Sequence, residues 1–200
     1  MLRLREVFKK GYDAVGGSVT NGCPESLGAW LQYFCQYHRW LPQRPAGEIQ
    51  DLPGCNFSYR ASVLKVLGPF LESRFKIESL YNVQAKNKGV RFYYAPDVMA
   101  VHYNYDAKTV LQFWRFHFLY GLDFASHRGS SFGKSLVYGL GAGFLPWIAY
   151  ARIYRDVRQD RELLKRFLKM TPILLFTLAI WAAGEMCGYL SSCWDRMKHR

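Results

Sequence analysis

The chain's 200 residues carry 27 Lys plus Arg against 15 Asp plus Glu, a net charge of +12, and half of them are apolar with 17% aromatic. That composition excludes a disordered chain. The length allows one domain with a real core or a smaller domain joined to membrane segments, and the apolar content favours the second. The positive charge suits nucleic acid, anionic lipid headgroups or the diphosphate of a sugar nucleotide; hydrophobic segments lie close to the basic residues, which favours lipid.

Cys23, Cys35, Cys55, Cys187 and Cys193 are scattered, odd in number and without a C-x-x-C pair, so neither a zinc site nor a disulfide framework is expected and a reducing compartment is the simpler reading. The N-terminal MLRLREVFKK is basic but lacks the apolar run of a signal peptide.

In chain order, Leu2 to Tyr12 reads as a short basic helix with Leu4, Val7 and Phe8 on one side. A strand follows over Ala14 to Thr20, where Gly16-Gly17 either permits close packing or lets the backbone pass near a ligand. Pro24 and Glu25 open a helix running roughly to Trp40, with Leu27, Trp30, Leu31, Phe34 and Cys35 as its apolar face and His38 at its polar end. Leu41 to Asp51, with Pro42, Pro45 and Gly47, reads as a loop, a plain connection in preference to a lid.

Gly54 to Arg60 enters as a short strand or bend, and Ala61 to Leu67 has helical spacing stopped by Gly68-Pro69. A second helix carries Glu78 in its first turn and ends at Lys88-Gly89. Two strands, Val90 to Tyr94 and Val98 to His102, are expected to flank a turn at Ala95-Pro96-Asp97. Gln112 and Arg115 would share a face of the next helix; its many apolar neighbours leave open whether Arg115 grips an anion or snorkels from a greasy helix.

Beyond Gly121 the character changes. Ser135 to Ala151 is uncharged but interrupted by Gly139, Gly141, Gly143 and Pro146, and Thr171 to Trp194 has Glu185 as its only charge. Between them, Arg152 to Lys169 is strongly basic. Two full crossings would strand that connector on the side away from the domain, against the positive-inside tendency. A hairpin entering one leaflet and returning keeps it at the anionic surface and is the preferred expectation. Glu185 would then cap or pair within the hairpin.

The ordered series Gly54-x-Asn56-x-x-Tyr59-Arg60, an acidic residue opening a helix, Gly89 at its end, Pro96-Asp97 and an apolar strand closing on His102 resembles the acceptor-side half of family-2 glycosyltransferases. Upstream, Ala14 to Val19 is similar to the strand that follows the family's Asp-x-Asp. Downstream, Gln112-Phe113-Trp114-Arg115-Phe116 resembles its Gln-x-x-Arg-Trp element, with Phe116 in place of Trp.

The resemblance implies an α/β fold, a partial GT-A (nucleotide-diphospho-sugar transferase-like) domain over residues 1–133, followed by an α-helical membrane hairpin over 134–200. It implies inverting transfer of a sugar from a nucleotide-sugar donor to a membrane lipid or lipid-linked saccharide, with the catalytic portion facing the cytoplasm. Glu78 would be the base; Asn56, Tyr59 and Arg60 the acceptor wall, Arg60 serving equally well as a turn anchor; Gln112 and Arg115 the diphosphate grip; His102 a metal ligand. No Asp-x-Asp occurs in the 200 residues, so Mn or Mg is expected only with a partner chain that supplies one. The chain then reads as truncated, as one part of a split enzyme, or as a non-catalytic membrane-anchored scaffold that keeps the shape. RNA binding is disfavoured, because the aromatics fall in apolar patterns and not among the basic residues.

Overall fold

The computed structural model describes residues 2–69, 78–103, 110–128 and 131–198. Helix α1 (Leu2–Lys9) leads into strand β1 (Ala14–Asn21); α2 (Leu27–Gln32), capped by the Ser26 hydroxyl, runs on through a π-helical turn, Tyr33–Tyr37. The expected loop contains a short strand, β2 (Gly47–Ile49), which side-chain patterning over three residues is too brief to announce. Then come β3 (Phe57–Tyr59), α3 (Ala61–Leu67), α4 (Glu78–Asn87) and β4 (Phe92–His102). Gly89, at φ +78°, takes the left-handed conformation that ends α4.

The four strands form one mixed sheet in the order β2-β4-β1-β3, with β1 and β4 parallel at its centre and the outer strands antiparallel to them. The expected pair of strands flanking a turn is instead the single strand β4. Its parallel partner β1 holds both halves: Gly17 pairs with Ala95 and Ser18 with Met99, so Pro96 to Val98 are absorbed as a bulge. Pro96 has no N–H to donate and sits where the ladder is interrupted. Side chains alternate along a strand, yet Val15 packs with Val7 and Ala95 while Val19 joins the main core; the register shift between Gly17 and Ser18 lies between the two.

The main core lies between the sheet and α2, and it does not stop there. Phe34 meets Phe167 edge-on at 5.7 Å, and Ile153 and Val157 are buried in the same cluster. Those residues belong to a helical bundle: α5 (Val110–His127), α6 (Phe132–Gly141), a single 3-10 turn, α7 (Leu145–Val157) and α8 (Arg161–Lys198). The 158–160 turn between α7 and α8 therefore sits against the α/β unit. His38 Nδ1 donates to Asp156 Oδ2 at 2.8 Å, and the Arg166 guanidinium stacks 4.4 Å from the Trp30 ring.

Two helical stretches, Phe132–Val157 and Arg161–Ser191, are long and apolar enough to cross a membrane. Their outward faces carry Leu140, Phe144, Trp147 and Phe176, all more than half exposed. A face of that kind suits lipid better than water.

Candidate functional site

The centre of the sheet is fastened at its bulge by Asn56. Its Nδ2 donates to Ser18 O at 2.9 Å and Val98 O at 2.8 Å, one carbonyl from each parallel strand, while Gly17 N donates to Asn56 O at 3.0 Å. Ser18 Oγ adds a bond to Pro96 O at 2.7 Å. A bulge leaves carbonyls without ladder partners, and a buried unpaired carbonyl is costly; one amide group satisfies two of them. The Gly-x-Asn spacing is thus explained locally, and so is Gly17, whose added Cβ would overlap the Val98 carbonyl oxygen.

Tyr59 and α4 form the second part. Tyr59 Oη donates to Asn82 Oδ1 at 2.6 Å, and Asn82 Nδ2 donates to Asp51 Oδ1 at 2.7 Å and Leu52 O at 3.1 Å. Arg39 donates to Asp51 Oδ2 at 3.2 Å. Burial pushes the Asp51 carboxyl up, opposed by the Asn82 hydrogen bond and the Arg39 charge; burial also pushes the Tyr59 phenol up. Glu78 is the first residue of α4, one turn before Asn82, so the network that holds Asn82 fixes the helix start on which Glu78 stands.

The remaining expected site residues are distributed around this unit. Arg60 Nε donates to Tyr12 O at 2.8 Å and its NH2 to Phe8 O, with Asp13 at 4.0 Å, which ties α1 to the start of α3. His102 ends β4 opposite Asn21 and lies against the Tyr37 ring, tilted, with the ring centres 4.7 Å apart. Gln112 and Arg115 lie a turn apart and exposed near the start of α5. Among the described residues, no group of three His, Cys, Asp or Glu side chains comes together to hold a metal ion.

Asp51 and Asn82 were not singled out by sequence reasoning. Asp51 closes a stretch that reads as loop, and Asn82 falls on a helix whose visible signal is apolar. A buried polar residue inside an amphipathic helix leaves no mark on hydrophobic periodicity.

No protein-family model matches the chain, and neither the curated proteins nor the solved structures contain a match to it.

Proposed function

We propose that the chain is the acceptor-side part of a membrane-bound family-2 glycosyltransferase of GT-A type, acting from the cytoplasmic face on a lipid-linked or membrane-associated saccharide. The observation that carries this reading is Glu78 opening a helix that Asn82 ties to Tyr59 of β3 and to Asp51. The Gly-x-Asn segment, the acid-bearing helix and the strand closing on His102 belong to one built unit.

In the transfer, the Glu78 carboxylate takes the proton of the acceptor hydroxyl, whose oxygen attacks the anomeric carbon. The bond from that carbon to the diphosphate breaks, and its electron pair leaves with the nucleotide diphosphate. Arg115, with Gln112 a turn away, answers the charge on the leaving group. His102 alone does not make a divalent-metal site, so no step is assigned to a metal on these residues; the cation belongs with an Asp-x-Asp from outside them.

The test is transfer from a panel of nucleotide sugars in membranes with Mn or Mg, using the chain alone and with its encoded upstream neighbour. Activity that needs the neighbour and is lost in Glu78→Gln is expected. Activity of the chain alone would overturn the division of labour.

A second reading, a non-catalytic membrane-anchored scaffold, is favoured by one observation: Asn56 Nδ2 holds two strand carbonyls, Tyr59 Oη holds Asn82 and Arg60 Nε holds Tyr12 O, so each of the three has a structural task. On that reading Glu78→Gln changes nothing.

A further inference from the structure

The bundle contains a helix, α5, that composition does not mark as a membrane span. α5 runs beside α8 along its whole length and in the same direction: Trp114 Nε1 donates to Thr177 Oγ1 at 3.1 Å, Gly121 meets Trp181, and Arg128 donates to Tyr189 Oη at 2.9 Å. The approach is backbone to backbone. An added Cβ on Gly184 would overlap the Phe118 carbonyl oxygen, and one on Gly188 would lie 2.5 Å from the Leu122 carbonyl oxygen. Gly184 and Gly188 form a Gly-x-x-x-Gly pair, the packing surface by which helices associate in lipid, where apolar burial supplies no driving force.

The α6–α7 rod runs the other way. Tyr138 meets Tyr189 at 5.5 Å, and Tyr150 Oη bonds Thr171 Oγ1 at 3.0 Å. Taken as a ruler, residues 171–191 of α8 are roughly 21 residues, about 31 Å at 1.5 Å per residue, which equals a bilayer's hydrocarbon thickness. Residues 138–150 of the rod lie at that depth. So does α5 beyond its first turns, its 18 residues covering about 27 Å and Gln112 and Arg115 standing towards the headgroup side. The basic stretch 152–169 falls outside the slab, on the end where the α/β unit docks.

The polar residues of α5 fit a membrane helix. Arg115 stands on the domain-side end, within reach of the headgroups. His117 and Asp123 are buried in the bundle; His117 Nδ1 bonds Phe113 O at 2.9 Å, and Asp123 pairs with His127 at 3.2 Å.

We infer that α5, the α6–α7 rod and α8 each cross the bilayer. The α/β unit and the basic stretch 152–169 then share one face, with the cations of that stretch against anionic headgroups. The end of α5, Ser131 at the start of α6 and the end of α8 share the other face. Three crossings remove the conflict that two crossings create, because the basic stretch 152–169 returns to the side of the domain. The inference stands independently of transferase activity.

The test is sidedness of the full-length chain in a bacterial host, by labelling with a membrane-impermeant maleimide in inverted vesicles and right-side-out spheroplasts. Native cysteines other than Cys55 are replaced by serine or alanine, and Gln159→Cys or Ser131→Cys is added. Cys55, Gln159 and Ser131 are all exposed. Labelling of positions 55 and 159 from the cytoplasmic side and of 131 from the opposite side only is the expected result. Labelling of 131 from the same side as 55, or of 159 from the opposite one, would overturn the three-crossing arrangement. Should the cysteine background not fold, the wild-type chain with an epitope after Arg200 answers the same question. External protease removing the epitope from spheroplasts is expected, and removal from inverted vesicles alone would overturn the inference.

Discussion

Replacing Asn56 with alanine removes a donor that two strands share. Ser18 O and Val98 O, at 2.9 and 2.8 Å from Nδ2, are left without it, and they belong to a bulge where no ladder bond can take over. A net hydrogen bond is worth about 1 kcal/mol, and an acceptor stranded in a partly buried site costs about 1–3 kcal/mol. Allowing for water reaching one of the two, Asn56→Ala is expected to destabilise the α/β unit by about 2–4 kcal/mol. The assay is urea unfolding of the full chain in detergent, followed by tryptophan fluorescence, together with amide exchange at Gly17, whose N–H bonds Asn56 O. Asn56→Asp sharpens the test: an ionised carboxylate donates nothing and faces two carbonyl oxygens, so it should be worse than alanine at neutral pH and recover partly in acid as it gains a proton. A loss under about 0.5 kcal/mol in Asn56→Ala with unchanged Gly17 exchange would refute the view that this amide fastens the bulge, and would return Asn56 to solvent or ligand.

Gly17→Ala should be the more damaging of the paired-glycine substitutions, at about 3 kcal/mol or more, because the new methyl meets backbone. Gly16→Ala meets side-chain atoms of Leu52 and Pro53 at 2.8 Å and should cost less; comparing their urea midpoints in detergent checks the order. Burial holds the His38 imidazole below its ordinary 6.5, against the opposing pull of Asp156 and with Arg39 and Arg152 adding to the lowering. The unfolded chain therefore takes up a proton that the folded one resists, so stability is full above the ordinary value and falls as pH drops from 6.5 towards the lowered one. Melting temperature between pH 8 and pH 5 should show this slope, and His38→Gln should flatten it. Gly188→Leu should separate α5 from α8, lowering the melting temperature in detergent and making the labelling of Ser131→Cys two-sided.

Much of the α/β unit was legible because its signals are local. The helix over Ala61–Leu67 with its Gly stop, Glu78 at a helix start and Gly89 at its end follow from capping and from conformations only glycine adopts readily. Ala95-Pro96-Asp97 reads as a turn for equally local reasons, and the structure departs there because β1 lies alongside and bridges the interruption. Asp51 and Asn82 were hidden because their meaning lies in a contact between segments 31 residues apart. α5 was legible as a helix with many apolar residues, but not its place beside α8: Arg115, His117 and Asp123 dilute its apolar character, and what marks that place is the glycine surface of a helix some 60 residues further on.

The shared core at the 158–160 turn sets an order of assembly. His38 and Asp156 are 118 residues apart, a gap that takes a ribosome roughly 6–24 s to fill at about 5–20 residues per second. Throughout that interval Phe34 and its neighbours lack the Phe167 surface that covers them. The α/β unit cannot finish folding as it emerges; it must wait, incompletely closed, until the last helix has been made. Excising it as residues 1–133 would make that transient condition permanent, leaving a fragment prone to aggregate through the face the bundle normally hides.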